Sequence, residues 1–295
     1  MTTFRYLHLD VFAARRGGGN HLGVVIDAGG WTDAAMQAFA RWTNLVETTF
    51  LLPPTDPQAS YRVRMFTPYR EIDFAGHPSV GSAHAALTCG LIEPHDGLLW
   101  QECRAGVLPI RVEDHDGHRQ LLLRSPAAAV RESGADAHPL LRPALAGVAS
   151  GRLAPALVEG GRRWWVVECA DEAALRRWQP DHAAIGALGK ATDSMGICAF
   201  ARSEAAGHQL VVRAFASGAG ITEDPASGAA NGLLAAWLVQ AEPHGPLARG
   251  YAVSQGREIG YDARLLVRID DDGAVWVGGR TNTVVDGHLA WDANT

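Results

Sequence analysis

The chain of 295 residues has a net charge of −6, with 47% hydrophobic and 20% charged side chains. That is the make-up of a globular protein long enough for two domains. It excludes a basic nucleic-acid surface, because no stripe of Lys and Arg with interleaved aromatics is present. It also excludes a helical membrane span, because no apolar run approaches about 20 residues. The N-terminus lacks the charged-then-apolar layout of a secretory signal, so a cytoplasmic location is expected.

Cys89, Cys103, Cys169 and Cys198 include no C-x-x-C pair, which argues against zinc or iron–sulfur and for buried thiols. Lys190 is the only lysine, so a Schiff base could form nowhere else.

Tyr6 to Phe12 alternates and predicts a first strand, followed by the glycine-rich loop Arg15 to Asn20. A phosphate cradle is not indicated there: the G-x-G-x-x-G spacing is absent and no Gly-Lys-Ser/Thr follows. Gly23 to Ile26 is a second strand. Thr32-Asp33 opens an amphipathic helix through Met36, Phe39, Ala40 and Trp42 that ends near Asn44. Leu45 to Leu52 then reads as a mostly buried strand. Glu47 is its odd member, since a buried carboxylate is costly unless paired or chemically employed.

Further strands are expected at Tyr61 to Phe66, Gly97 to Gln101 and Val107 to Val112. Glu113 to His118 has a metal-like composition, but Asp116-Gly117 marks it as a hairpin tip. Ser125 to about Ser150 reads as a crossover with one short helix. The second half predicts strands at Trp164 to Glu168, Met195 to Arg202 and Gln209 to Phe215, with helices at Ala173 to Trp178 and Asp181 to Leu188. Gln255 to Gly260 joins the following strands. On this plan Met195 roughly meets Glu47, and the acid occurs in one half only.

The plan rests on an internal repeat. Gly76 to Leu87 lies over Glu223 to Leu234 without a gap, placing His77 on Asp224, Pro78 on Pro225 and Gly81 on Gly228. Arg64-Met65-Phe66 precedes the first copy and Arg213-Ala214-Phe215 the second. A separation of half the chain indicates a duplicated fold rather than a stacked array. Each copy reads as strand, glycine-containing loop and helix, with proline at the first helical position and His77 or Asp224 as N-cap. The second central helix is expected from Pro225 to about Gln240.

Paired helix starts favour negative charge. If the halves pack about a pseudo-twofold axis, His77, Asp224, Glu47 and two sets of free amides would share a cleft. That inventory suits proton movement on a carboxylate-bearing substrate. Helix amides would hold negative charge while Glu47, with a pKa raised by burial, moves the proton. Nothing in it calls for a metal or cofactor.

Five blocks in order resemble the PhzF-like (phenazine-biosynthesis) family, which has the diaminopimelate-epimerase-like fold. They are Asp10-Val11-Phe12 with Gly19-Asn20 and Leu22 to Val24; Asn44 to Phe50; Arg64 to Glu71 with Phe74 to Pro78; Gly220 to Gly228; and Gln255 to Gly260. The resemblance implies an α/β (α+β) protein of two pseudo-symmetric domains, each a curved, mostly antiparallel sheet around a central helix. These are expected over 1–128 and 129–295, with a C-terminal segment able to return to the first.

It further implies a cofactor-free isomerase, usually a homodimer, in which Glu47 takes a proton from one carbon and returns it to another. Gly76, His77, Asp224, Gly228, Ala229 and Val46 would line the substrate. Two departures stand out: the phenazine pattern has serine where Val46 and Ala229 stand. Loss of both hydroxyls argues for a different small unsaturated cyclic amino or carboxylic acid, with a substituted proline precursor among the candidates. The alternatives are the phenazine-type dihydro-hydroxyanthranilate isomerase, an epimerase or dehydratase on a related substrate, and a catalytically silent carboxylate-binding homologue.

Overall fold

The computed structural model describes residues 3–115 and 117–294, and the chain divides into two compact units, Met1–Arg124 with Gly278–Thr295, and Ser125–Val277. The first unit begins with β1 (Thr3–Val11), β2 (Asn20–Val25), α1 (Asp33–Thr43), β3 (Thr48–Leu52), β4 (Tyr61–Phe66) and β5 (Glu71–Ile72). It continues with α2 (Gly76–Thr88), β6 (Leu98–Cys103), β7 (Gly106–His115) and β8 (His118–Arg124). The second unit contains β9 (Ala129–Ser133), α3 (Leu141–Ala144), β10 (Ala156–Gly160), β11 (Arg162–Glu168), α4 (Glu172–Arg177) and α5 (His182–Ala191). After them come β12 (Ile197–Arg202), β13 (Leu210–Phe215), α6 (Gly228–Ala241), β14 (Gly250–Gln255), β15 (Ala263–Ile269) and β16 (Val275–Gly279), whose last two residues fall in the first unit. The chain ends in β17 (Thr281–Ala290), which pairs antiparallel with β1 and so belongs to the first unit.

Pairing within each unit exposes the duplication. In the first, β1–β2 is antiparallel, β2–β3 parallel, β3–β4 antiparallel, β4–β6 parallel and β6–β7 antiparallel. In the second, the same alternation runs through β10–β11, β11–β12, β12–β13, β13–β14 and β14–β15. The mixed α/β architecture of curved, mostly antiparallel sheet wrapped on a helix is the one the resemblance implies. In the first unit α2 touches β1, β2, β3, β4, β6, β8 and β17, and in the second α6 touches β9, β10, β11, β12 and β15.

Each sheet is covered on its other face too, which explains the unbroken apolar runs of its central strands. In β3 all five residues are buried. Phe50 and Leu52 join Met36, Phe39 and Trp31 in the core under α1, while Thr49 meets α2 through the Ser82 hydroxyl, which donates to Thr49 Oγ1 at 2.9 Å. In the second unit Ile185 and Leu188 of α5 pack with Trp165, Ile197 and Phe215.

α1 begins and ends where its capping residues predict: Thr32 Oγ1 accepts from the Ala35 amide, and Asn44 takes the left-handed conformation at φ 52°. Other boundaries differ. The strand expected from Leu45 starts at Thr48, so Glu47 stands just ahead of it. The crossover expected after Ser125 also carries a strand, β9, besides the short α3. The β7–β8 hairpin closes at His115 opposite His118, while Asp116 of the expected turn lies outside the described residues.

The helix starts require the largest correction. His77 and Asp224 are not N-caps. α2 starts at Gly76 with Ala75 as N-cap, which puts Pro78 third in the helix. α6 starts at Gly228, the position aligned with Gly81, and its N-cap is Ser227. Ser227 Oγ accepts from the Ala230 amide at 3.4 Å, supplying the capping bond expected of Asp224. Pro225 and Asp224 precede the helix, and the Asp224 amide donates to Ala214 O at 2.8 Å.

Candidate active site

In the first unit the pleat of β3 aims Glu47. Side chains alternate along a strand, and Thr49 faces α2 while Thr48 and Phe50 face α1. Extending that alternation back two residues from Thr49 turns Glu47 toward α2. Its carboxylate Oε2 lies 3.4 Å from His77 Nε2, with 13% of the Glu47 side chain and 9% of the His77 side chain exposed. Val46, one position off this face, is half exposed.

His77 is held from the other side by β2. Its Nε2 lies 3.2 Å from the His21 carbonyl oxygen. A carbonyl only accepts, so Nε2 carries the proton and donates it to His21 O, with the Glu47 carboxyl alongside at contact distance. Burial drives the His77 pKa down to about 4, a fall that the His21 carbonyl only partly opposes. At neutral pH His77 is therefore a neutral imidazole, and its contact with Glu47 is not an ion pair.

Gly81 permits this approach. A Cβ there would stand 2.4 Å from Leu22 Cδ2 and 3.0 Å from Val11 Cγ2, so any larger residue would have to displace the Leu22 side chain for α2 to lie this close to β1 and β2. The Asp10 carboxylate fixes the loop leading into β2 by accepting from the amides of Gly17, Gly18 and Gly19 at 2.6, 3.0 and 2.7 Å. The glycine-rich loop is thus tied down by a buried acid. Gly76 opens α2, whose N-cap Ala75 offers no side-chain cap.

The asymmetry of the acid has a steric cause. Thr48 pairs with Phe66 and Ile197 with Phe215, which places Gly196, rather than the expected Met195, opposite Glu47 in the duplication. Gly196 has φ 138°, and a Cβ there would lie 2.1 Å from Phe215 O. The second copy has no room for a side chain at that point.

In the second unit Asp224 Oδ1 accepts from the Ala226 amide at 3.1 Å. Burial raises its pKa above the ordinary carboxylate range, opposed by bonds from Ala226 and Ser227 and reinforced by the nearby Glu223 charge. Gly228 is half-buried and Ala229 exposed at the start of α6. Arg213 and Glu223 form a buried fork at 3.0 and 2.8 Å just ahead of Asp224. Arg64 forms the corresponding fork with Glu71 in the first unit, at 2.8 Å for both bonds.

The sequence reading passed over these clamps, although the arginines matched between the two copies were a signal for them. Their acid partners stand seven and ten residues downstream; Glu71 precedes the gapless alignment and Glu223 opens it opposite Gly76, so the two acids do not align. The structure thus brings Glu47 and His77 into contact in the first unit, with Gly76 next to His77 at the start of α2; in the second, Asp224 precedes α6, which opens with Gly228 and Ala229.

Burial raises the Cys169 thiol to about 12 and the Cys198 thiol higher, so neither is a ready thiolate. Among the described residues no group of three or more His, Cys, Asp or Glu side chains is placed to hold a metal ion. Two surface recesses of about 440 Å³ are lined by charges paired with one another, Arg202 with Glu242 in one and Arg64 with Glu71 in the other, and neither includes Glu47.

The first unit of this duplicated sheet-and-helix plan thus carries a shielded carboxylate beside a histidine, and the second carries a glycine in its place. The phenazine biosynthesis-like (PhzC-PhzF) family pattern matches residues 9–287, and the chain belongs to that family. It is 31% identical over 287 residues to the trans-2,3-dihydro-3-hydroxyanthranilate isomerase of Pseudomonas aeruginosa, covering 96% of this chain and 98% of that one. The crystal structure of a PhzF-family phenazine biosynthesis protein from Bacillus anthracis superposes with a TM-score of 0.82 at 25% identity, covering 98% and 100% of the two chains. A hydroxyproline epimerase from Agrobacterium vitis shares the fold at a TM-score of 0.60 and 16% identity, covering 97% and 92%. The protein is an isomerase of the PhzF family.

Proposed function

We propose that the chain shifts a double bond in a small unsaturated cyclic amino or carboxylic acid of specialised metabolism, with Glu47 as the single acid/base and no cofactor. The observation that carries this reading is the Glu47 carboxylate, 13% exposed and 3.4 Å from His77. A protonated histidine at that distance would hold the carboxylate as an ion pair and weaken it as a base. Neutral His77, its N–H given to His21 O, lies beside the carboxylate without neutralising it and leaves it able to accept a proton. Glu47 removes a proton from carbon at one end of a conjugated system and, as the acid so formed, returns it to the other end. No atom is gained or lost, and no redox partner is required.

The proposed substrate contacts are Gly76, His77, Asp224, Gly228, Ala229 and Val46, with α2 amides offsetting the enolate-like charge. Because Val46 and Ala229 carry no hydroxyl, a substrate less polar than the phenazine precursor is favoured, with substituted proline precursors among the candidates. The alternative reading is trans-2,3-dihydro-3-hydroxyanthranilate itself, favoured by the relative named for that reaction.

The test is turnover in D₂O of that compound alongside unsaturated proline carboxylates, followed by NMR for deuterium uptake and double-bond position. Glu47→Gln is expected to lower kcat by about 10²–10⁴-fold, the usual weight of a general acid/base. Full turnover by that variant would overturn the mechanism. Turnover of the hydroxyanthranilate alone would replace the proline-type substrate with the phenazine one.

A further inference from the structure

The segment Asp224 to Ser227 contributes little regular structure of its own, yet it is held by one side chain from a distant strand. Gln255 ends β14 and is fully buried. Its Nε2 donates to the Asp224 carbonyl oxygen at 2.8 Å. Its Oε1 accepts from the Ser227 amide at 3.3 Å and from Asn231 Nδ2 at 2.9 Å. Asn231 Nδ2 also donates to Ser227 O at 2.8 Å, within the first turn of α6. The two carbonyl acceptors, Asp224 O and Ser227 O, fix which end of each amide is nitrogen, so the network has one consistent orientation.

The backbone next to Gln255 is equally committed. Gly256 has φ 87°, and a Cβ there would lie 2.6 Å from Pro225 O. On the opposite side the Asp224 amide donates to Ala214 O, and the Glu223 carboxylate is locked by Arg213. The residues on either side of the Asp224 carboxyl are therefore pinned, and the carboxyl itself is bonded by the Ala226 amide and by Ser227. A side chain pinned in this way loses little freedom on meeting a ligand.

We infer that Gln255 is a positioning residue that sets the Asp224 carboxyl for substrate through the Asp224 carbonyl, Ser227 and Asn231. The inference rests on the proposed contact of Asp224 with substrate. Gln255 itself touches no reacting atom. Removing its amide leaves the Asp224 carbonyl and the Ser227 amide without partners in a dry place, so the turn relaxes toward water.

The experiment uses the full chain and needs no substrate for its first two readouts. Gln255→Met keeps length and removes every bond, and Gln255→Glu keeps shape but sets a carboxylate oxygen against Asp224 O. Hydrogen exchange over 222–231 is expected to speed up about tenfold or more in both variants, with 76–88 of α2 unchanged. In Gln255→Met, carboxyl NMR assigned with Asp224→Asn should show Asp224 titrating nearer the ordinary value of about 4.

Wild-type exchange, or an unmoved Asp224 titration, overturns the inference. If the Met variant does not fold, exchange in the Glu variant decides alone. Turnover separates the two ideas. If Asp224→Asn keeps wild-type kcat/KM, the substrate reading of Asp224 fails whatever Gln255 does. If Asp224→Asn is impaired while Gln255→Glu is not, only the positioning role fails. When both are impaired, the double variant should lose no more than Asp224→Asn alone.

Discussion

Replacing His77 with glutamine should flatten the pH dependence of folding, because His77 is neutral in the folded protein far below the pH at which a free imidazole protonates. Burial lowers its pKa from 6.5 to about 4. Between those values the unfolded chain binds a proton that the folded chain refuses, so stability is intact above about pH 6.5 and declines as pH falls toward 4. At about 1.36 kcal/mol per pH unit, the 1.5 units from 6.5 to 5 remove about 2 kcal/mol.

His84 shifts the same way through burial and Arg119 repulsion, but it is present in both proteins and cancels. Urea unfolding at pH 7 and pH 5 reads the effect. With m of about 3 kcal/mol/M, the wild-type midpoint should fall about 0.7 M further than that of His77→Gln. Equal falls would show that His77 protonates freely in the folded chain. The neutral-imidazole account of its contact with Glu47 would then be wrong.

Gly196→Ala should cost more than 3 kcal/mol, roughly, because the added Cβ meets Phe215 O at 2.1 Å and φ is 138°. Gly17→Ala, also at positive φ but with nothing within 4 Å, should cost about 1 kcal/mol; urea midpoints for the pair give the comparison. Glu223→Gln should cost about 3–5 kcal/mol by stranding the buried Arg213 guanidinium, whose Nη1 keeps only the Leu175 and Trp178 carbonyls. Glu71→Gln should cost about 1 kcal/mol, since Arg64 is more exposed and retains Asp33 at 2.6 Å; equal losses would refute the argument from burial.

Local signals were readable wherever a short stretch decides its own conformation. Thr32 and Asn44 bracket α1 because a hydroxyl cap and a left-handed residue act within one turn. Tyr61 to Phe66 is a strand at the limits its apolar alternation predicts. The helix starts were misread because Pro78 and Pro225 look alike in sequence, while Ser227 capping and the Asp224–Ala214 bridge move one start by five aligned positions.

The sequence by itself determined the duplication, the alternation of strands and helices, and the lone acid at Glu47, for repeats and periodicity are properties of order along the chain. Tertiary structure alone decided that Glu47 faces His77, that His77 is neutral, that Gly196 excludes a second acid, and that Gln255 holds the Asp224 turn. Those facts depend on pleat direction, desolvation and atoms brought together across as many as 56 positions, as His21 and His77 are. Burial and close approach are set by what packs on a residue, and no local pattern carries that information.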